Sequence, residues 1–415
     1  MNASDQTRVL HLIDGLAGGG CERWLWDTVR VSDAEKLAHR IVTIQPDSGD
    51  FIYDERLRAK GAYVQPPSPR FLNFLSKHIQ DLAVRKVLVP WRKCLTLTWR
   101  SAGYVLAARE VLKSFLRFRP HIIHTHGFYG FVAGLIVKAV FRKPMIHTVP
   151  CTFEQMKDAH YGWTPGLYAR AQRRVDYFVT GASRAELLGL GIPASRIVSV
   201  RPGVDMQLIG AVRNVRARHY SEIRRSLGLP PEAMIALSVG RFHSSKGHLF
   251  ALESVSQLLP KFPNLHWVVL GDGLQRAQLE SKSVELGITD NVHLLGFQTE
   301  PLPYFAAADI YLRTPVFESE NLSSTQAIAM GLPVVGFDTG CESELIDKVG
   351  HGVLVPNRNG KALTEAIAQI LALPDRGRAL GKRGADYSDN LDIGQMTAPI
   401  FDSYKVLAEQ RVLDE

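Results

Sequence analysis

The chain has 415 residues, of which 46% are hydrophobic and 22% charged, which is the usage of globular proteins and excludes the disordered and fibrous classes. At roughly 150 residues per domain, this length holds about two to three domains, each able to bury its own core. The formal net charge is +8, unevenly placed: Arg70 to Arg119 holds eleven basic residues against Asp81 and Glu110, a net of +9 that leaves the remainder close to neutral.

The N-terminus, MNASDQTRVLHLIDG, has no basic n-region, apolar h-region or small-residue cleavage site, so a cytoplasmic protein is expected. Apolar, β-branched runs then alternate with amphipathic stretches, the pattern of βα units around parallel sheets. Strands are predicted at Val9 to Ile13, Arg40 to Ile44, Ile122 to His126, Met145 to Val149 and Tyr177 to Thr180. A second series follows at Ile235 to Val239, Trp267 to Leu270, Val292 to Leu295, Ile310 to Leu312, Pro333 to Phe337 and Gly352 to Val355. Between the series lie a Pro-Gly turn and a basic polar segment, Pro202 to Arg218. The expected fold class is therefore α/β: two Rossmann-like doubly wound domains, 1–205 and 206–392, facing a central cleft at the carboxyl ends of their strands. The segment 393–415 has Met396, Ile400, Tyr404 and Leu407 at helical spacing and is expected to pack back on the first domain.

The apolar run Phe128 to Val140 contains Lys138 and is too short to cross a bilayer. In Arg70 to Arg119 the cations alternate with Phe71, Phe74, Trp91, Trp99 and Tyr104, a composition that fits an anionic membrane surface. A solvated basic face is the plainer reading, and nucleic acid is not expected as a partner. Cys21, Cys94, Cys151 and Cys341 are scattered without metal-ligand spacing, so reduced packing thiols are expected and no metal site.

Four constellations carry chemistry. After the first strand, Gly18, Gly19 and Gly20 remove side chains where a strand turns into a helix, which lets backbone amides approach an anion or a sugar. In IIHTHG, alternation puts His124 and His126 on one face and brings His126 nearest the cleft. In SVGRFHSSKGH, Arg241 follows the strand-ending Gly240 and Lys246 lies five residues on, two cations able to converge on a diphosphate. In TPVFESENLSSTQAIAMGLPVV, Glu318 and Glu320 precede Asn321, Leu322 and Ser323. There Ser323, Ser324 and Thr325 are expected to cap a helix that carries Gln326 on its first turn. No D-x-D pair occurs, so no motif for an ion bridging two phosphates is present.

Taken in order, these residues resemble the retaining glycosyltransferases of family 4, which have the GT-B fold. The set comprises the glycine loop, His126, Pro202 to Asp205, Gly240-Arg241 with Lys246-Gly247, Gly271-Asp272-Gly273 and Glu318 leading into A-x-A-x-G-x-P-V-V. The resemblance covers nearly the whole chain, strongest from Ala236 to Pro356 and weakest from Ile52 to Phe118. It implies that Arg241 and Lys246 bind the diphosphate of a UDP- or GDP-linked sugar, with Glu318 or Glu320 on the sugar hydroxyls. The residue eight positions after Glu318 would hold the ribose; it is Gln326 where the family has Glu, which implies weakened or altered nucleotide preference. His126 and the glycine loop would orient sugar and acceptor from the opposite wall as the domains close.

The expected reaction is hexose transfer with retention to an acceptor hydroxyl, with no cofactor and no metal. A glycan or lipid-linked acceptor is expected, on the inner face of a membrane. The rival readings are a non-catalytic sugar-nucleotide-binding scaffold, a GT-B epimerase or phosphorylase, and a nicotinamide-dependent oxidoreductase, whose dinucleotide loop this sequence lacks.

Overall fold

The structure, a computed structural model, describes residues 6–14, 20–44, 54–60, 62–65, 111–149, 151–153, 156, 164–181, 183–318, 322–340 and 343–414. It divides into two compact units, Met1–Arg201 with Thr397–Glu415, and Pro202–Met396.

The first unit holds a seven-stranded sheet in the order β3-β2-β1-β4-β5-β6-β7. Its strands are β1 (Thr7–Ile13), β2 (Leu37–Thr43), β3 (Tyr63–Gln65), β4 (Ile122–His126), β5 (Met145–Thr148), β6 (Tyr177–Thr180) and β7 (Ile197–Ser199). All neighbouring pairs are parallel. Parallel strands bury both faces, which is why β4 and β5 are buried at every residue and read as continuous runs. Strand order reverses between β1 and β4, and the register there sets His11 opposite His124 and Ile13 opposite His126. The helix Gly20–Val31 follows β1 and the helix Gly127–Phe141 follows β4. Within the helix Ile393–Asp414, Ile400, Tyr404 and Leu407 pack on Val9, Ile122, Ile146 and Val179, covering one face of this sheet.

The second unit holds a six-stranded sheet in the order β10-β9-β8-β11-β12-β13. Its strands are β8 (Met234–Val239), β9 (Leu265–Leu270), β10 (Val292–Leu294), β11 (Ile310–Arg313), β12 (Val334–Phe337) and β13 (Gly352–Val355). Alternate residues feed opposite cores: Ile235 and Leu237 join Tyr311 and Val334 on one face, Ala236 joins Trp267, Leu312 and Val335 on the other. The strand order reverses here between β8 and β11. Val204 and Asp392 form a parallel bridge, with the Ile393 amide donating to the Val204 carbonyl at 2.9 Å, so Pro202 to Asp205 lies with this unit.

Every predicted run is a strand; β3 and β7 are additional three-residue strands at the two edges of the first sheet. Of the basic stretch Arg70 to Arg119, residues 70–110 lie outside the described residues. Residues 111–118 are helical, with Val111 and Phe115 buried and Phe115 stacked on Phe141 at 3.8 Å between ring centroids. Among the described residues no helix is long and apolar enough to cross a membrane. Cys151 is unbridged, and burial pushes its thiol up to about 12.

Candidate functional site

In the second unit a small pocket opens at the carboxyl ends of β8 and β11, the point where strand order reverses and ligands of doubly wound sheets bind. Its lining includes Ser238, Lys246, His248, Arg313, Thr314 and Glu318. The loops after the two strands are laced together: the Val316 amide donates to the Ser245 carbonyl at 2.8 Å and the Thr314 hydroxyl to the Lys246 carbonyl at 3.1 Å. Gly247 makes this approach possible, since it has φ +61° and a Cβ there would stand 2.1 Å from the Thr314 carbonyl oxygen.

Lys246 and Glu318, 72 residues apart, meet in this pocket as a charge-assisted hydrogen bond, their side chains 24% and 9% exposed. Beside them Arg313 is buried; its guanidinium donates to the Phe337 carbonyl at 2.5 Å and the Thr339 hydroxyl at 2.6 Å. Burial pulls the His248 imidazole down to about 4, so it is neutral and donates through Nε2 to the Arg241 carbonyl at 3.2 Å.

The Gly240-Arg241 loop packs backbone to backbone on the Gly271-Asp272-Gly273 loop, with the Phe242 amide donating to the Asp272 carbonyl at 2.9 Å. A Cβ on Gly271, at φ +138°, would lie 2.0 Å from the Gly240 carbonyl oxygen. Asp272 is exposed and accepts from the Gly273 amide at 2.7 Å. Arg241 is exposed and outside the pocket lining, so its carbonyl and not its guanidinium is tied to this region. Leu322 opens the helix Leu322–Ala329, which places Ser323, Ser324 and Thr325 inside its first turn and not at the cap position expected for them. Gln326 lies in the same helix and is 7% exposed. Glu320 and Asn321 lie outside the described residues.

In the first unit, His126 closes β4 beside the end of β1. Gly20 begins the helix after β1; Gly18 and Gly19 lie outside the described residues. His124 and His126 share a face as expected, their rings stacked at 4.2 Å, and Thr125 faces the other way to bond His147 Nδ1 at 2.9 Å. The sheet adds two histidines to this face: His11 Nδ1 lies 3.1 Å from His126 Nε2, and His11 Nε2 lies 2.9 Å from His39 Nδ1.

One ring nitrogen from each of His11, His124 and His126 falls within 4.8 Å of the others. His124 spends both nitrogens, on Tyr404 at 2.6 Å and Thr148 at 2.8 Å, and His11 both of its own, on His126 and His39, so these rings stand in a hydrogen-bonded array.

Sequence reasoning also missed Asp14, whose carboxylate accepts from the Phe128 and Gly130 amides at 2.9 and 2.7 Å and so caps the helix Gly127–Phe141. Burial raises it to about 6 against the opposing pull of those amides. The signal available was an acid ending the first strand directly before the glycine loop.

The family model of glycosyltransferase family 4 matches residues 7–208, and that of the glycosyl transferases group 1 matches residues 220–387. "D-inositol 3-phosphate glycosyltransferase 2" of Catenulispora acidiphila is 27% identical over 306 residues, 68% of this chain and 70% of its own. The lipopolysaccharide core biosynthesis glycosyltransferase LpsE of Rhizobium meliloti is 28% identical over 161 residues, 39% of this chain and 46% of its own. The crystal structure of Anabaena Alr3699/HepE in complex with UDP-glucose shares the fold, with a TM-score of 0.76 at 16% identity over 97% of this chain and 100% of that one. The chain belongs to the GT-B glycosyltransferases, with a family 4 domain in its first half and a group 1 domain in its second.

Proposed function

We propose that the protein is a retaining glycosyltransferase that moves a hexose from a nucleoside diphosphate sugar, UDP- or GDP-linked, to an acceptor hydroxyl without a divalent ion. The observation that carries this reading is the Lys246–Glu318 pair in the pocket at the β8/β11 reversal. An ammonium suited to a diphosphate and a carboxylate suited to sugar hydroxyls stand there side by side. As the bond from the anomeric carbon to the diphosphate lengthens, negative charge grows on the leaving oxygen. Prepositioned cations lower the barrier by meeting charge that appears mainly in the transition state. Lys246 is the first of these cations; Arg241, whose guanidinium is exposed outside the pocket lining, is the second that the resemblance assigns to the diphosphate. Glu318, or Glu320 two residues on, takes the sugar hydroxyls; Gln326 and the amides of Leu322 and Ser323 take the nucleoside. Gly240, Gly271 and Asp272 shape the loop beneath them. On the first unit, His126 and the Gly18 to Gly20 loop serve the sugar and the acceptor.

UDP is the favoured nucleotide because the Anabaena structure holds UDP-glucose on the same fold. A lipid-linked glycan precursor is the favoured acceptor. Leu112, Leu116, Ile136 and Val140 are exposed, with Lys113 and Arg117 among them, a pattern that suits an anionic membrane surface. Sedimentation with anionic liposomes at moderate salt tests that part, and a protein left in the supernatant counts against it. The reaction itself is tested by Lys246→Ala in a transfer assay: the variant keeps the fold by circular dichroism and loses about 10²–10³ in rate. Unchanged turnover removes Lys246 from the reaction and with it the assignment.

A further inference from the structure

The buried histidines of the first sheet form a directed line. Ser32 follows the helix Gly20–Val31 and its hydroxyl donates to the Val29 carbonyl at 2.8 Å, one of the last carbonyls of a helix and so without an intrahelical partner. A hydroxyl has one proton, so toward His39 Nε2, 3.0 Å away, the same oxygen can only accept. His39 therefore carries its proton on Nε2 and offers a bare Nδ1. That lone pair, 2.9 Å from His11 Nε2, requires the proton of His11 on Nε2; His11 Nδ1, 3.1 Å from His126 Nε2, in turn requires the proton of His126 on Nε2. Each step holds only for neutral rings, and burial keeps all three imidazoles below the ordinary histidine range. The line ends at His126 Nδ1, a buried atom with no hydrogen-bond partner among the described residues, on the last residue of β4. His124 stacks on His126 but turns its nitrogens to Tyr404 and Thr148, so it does not compete for the line.

We propose that Ser32, His39 and His11 are positioning residues for His126. Their hydrogen bonds hold its imidazole in the Nε2–H tautomer and leave Nδ1 bare to accept from a hydroxyl of the reacting sugar or its acceptor. This rests on the transferase reading for the hydroxyl, and on geometry alone for the tautomer. A neutral acceptor aimed in advance spares the site the reorganisation of choosing a tautomer when substrate arrives.

The test is nitrogen–proton correlation of the full chain labelled at histidine, with transfer kinetics beside it. The expected result is His11, His39 and His126 all protonated on Nε2. In Ser32→Ala the His126 signals move toward a tautomer mixture and kcat falls about tenfold, the loss of one hydrogen bond, at constant donor KM. Ser32→Thr, which keeps the hydroxyl, restores both. A wild-type His126 protonated on Nδ1, or a Ser32→Ala variant whose signals and kcat stay in place, overturns the proposal. If the unsubstituted protein transfers no sugar, the transferase reading fails by itself, and the nitrogen signals still decide the tautomer.

Discussion

The ammonium of Lys246 rests on Glu318, so a diphosphate that reaches it competes with a largely buried carboxylate. In the proposed reaction that competition suits a donor whose two ends bind together, its phosphates taking the lysine and its sugar hydroxyls the acid. Removing only one partner strands the other charge at a site where water solvates it poorly. Gln326 sits in the helix Leu322–Ala329, eight residues after Glu318, where the family pattern has a second acid. An amide offers a ribose diol one neutral accepting oxygen, whereas a carboxylate offers two oxygens with charge assistance. Gln326→Glu is therefore expected to tighten UDP binding about three- to tenfold by isothermal titration, an extra ~1 kcal/mol. Equal or weaker binding would remove position 326 from the ribose.

Two glycine loops, after β8 and after β9, pack backbone to backbone, and their demands are steric. In Gly271→Ala the new methyl meets the Gly240 carbonyl at a φ that side chains avoid, so urea unfolding is expected to show a loss of roughly 1–3 kcal/mol. Gly210 is the control: it lies in the helix Met206–Ser226 with open space where a Cβ would go, and Gly210→Ala is expected to gain up to ~1 kcal/mol. A Gly271→Ala protein as stable as the parent would mean that the two loops separate easily.

The elements themselves were largely legible in the sequence, because buried parallel strands are uninterrupted apolar runs and the loops after β6, β8 and β9 begin with glycine. The strands β3 and β7, three residues each, are too short to show a period. Spacing within one loop brought out Lys246, but its meeting with Glu318 depends on β8 lying beside β11, which only the sheet order decides. Arg313 and Asp14 were illegible for a similar reason: one charge ending an apolar run looks the same whether it faces solvent or a neighbouring loop. His11 and His39 are separated by 28 residues and join His126 only through strand register.

At the scale of the molecule, burial of imidazoles makes stability depend on pH. His39 is held at about 4, His126 and His147 at about 3, and His11 and His124 well below the ordinary value in the first unit; His248 and His351 are at about 4 in the second. Between pH 6.5 and these values the unfolded chain binds protons that the folded chain does not, so the stabilising contribution is complete above about pH 6.5 and drains away as pH falls. Asp14 runs the other way, its contribution being lost as pH rises through about 6, and burial raises Asp27 as well, but these are two groups against seven. The urea midpoint is expected to fall steadily from pH 7 to pH 5, each histidine adding up to ~1.4 kcal/mol per pH unit. A flat profile over that interval would mean that these rings are hydrated or already charged.

The central claim, a nucleoside diphosphate sugar held by the second unit, is tested most directly by thermal shift of the whole chain with UDP, GDP, ADP and NAD, each with and without EDTA. A ligand at about 100 times its dissociation constant adds roughly 2.7 kcal/mol to the folded state. UDP or GDP is expected to raise the midpoint, EDTA to leave the shift in place and Lys246→Ala to diminish it. A shift with NAD alone, or with none of the four, would contradict the account.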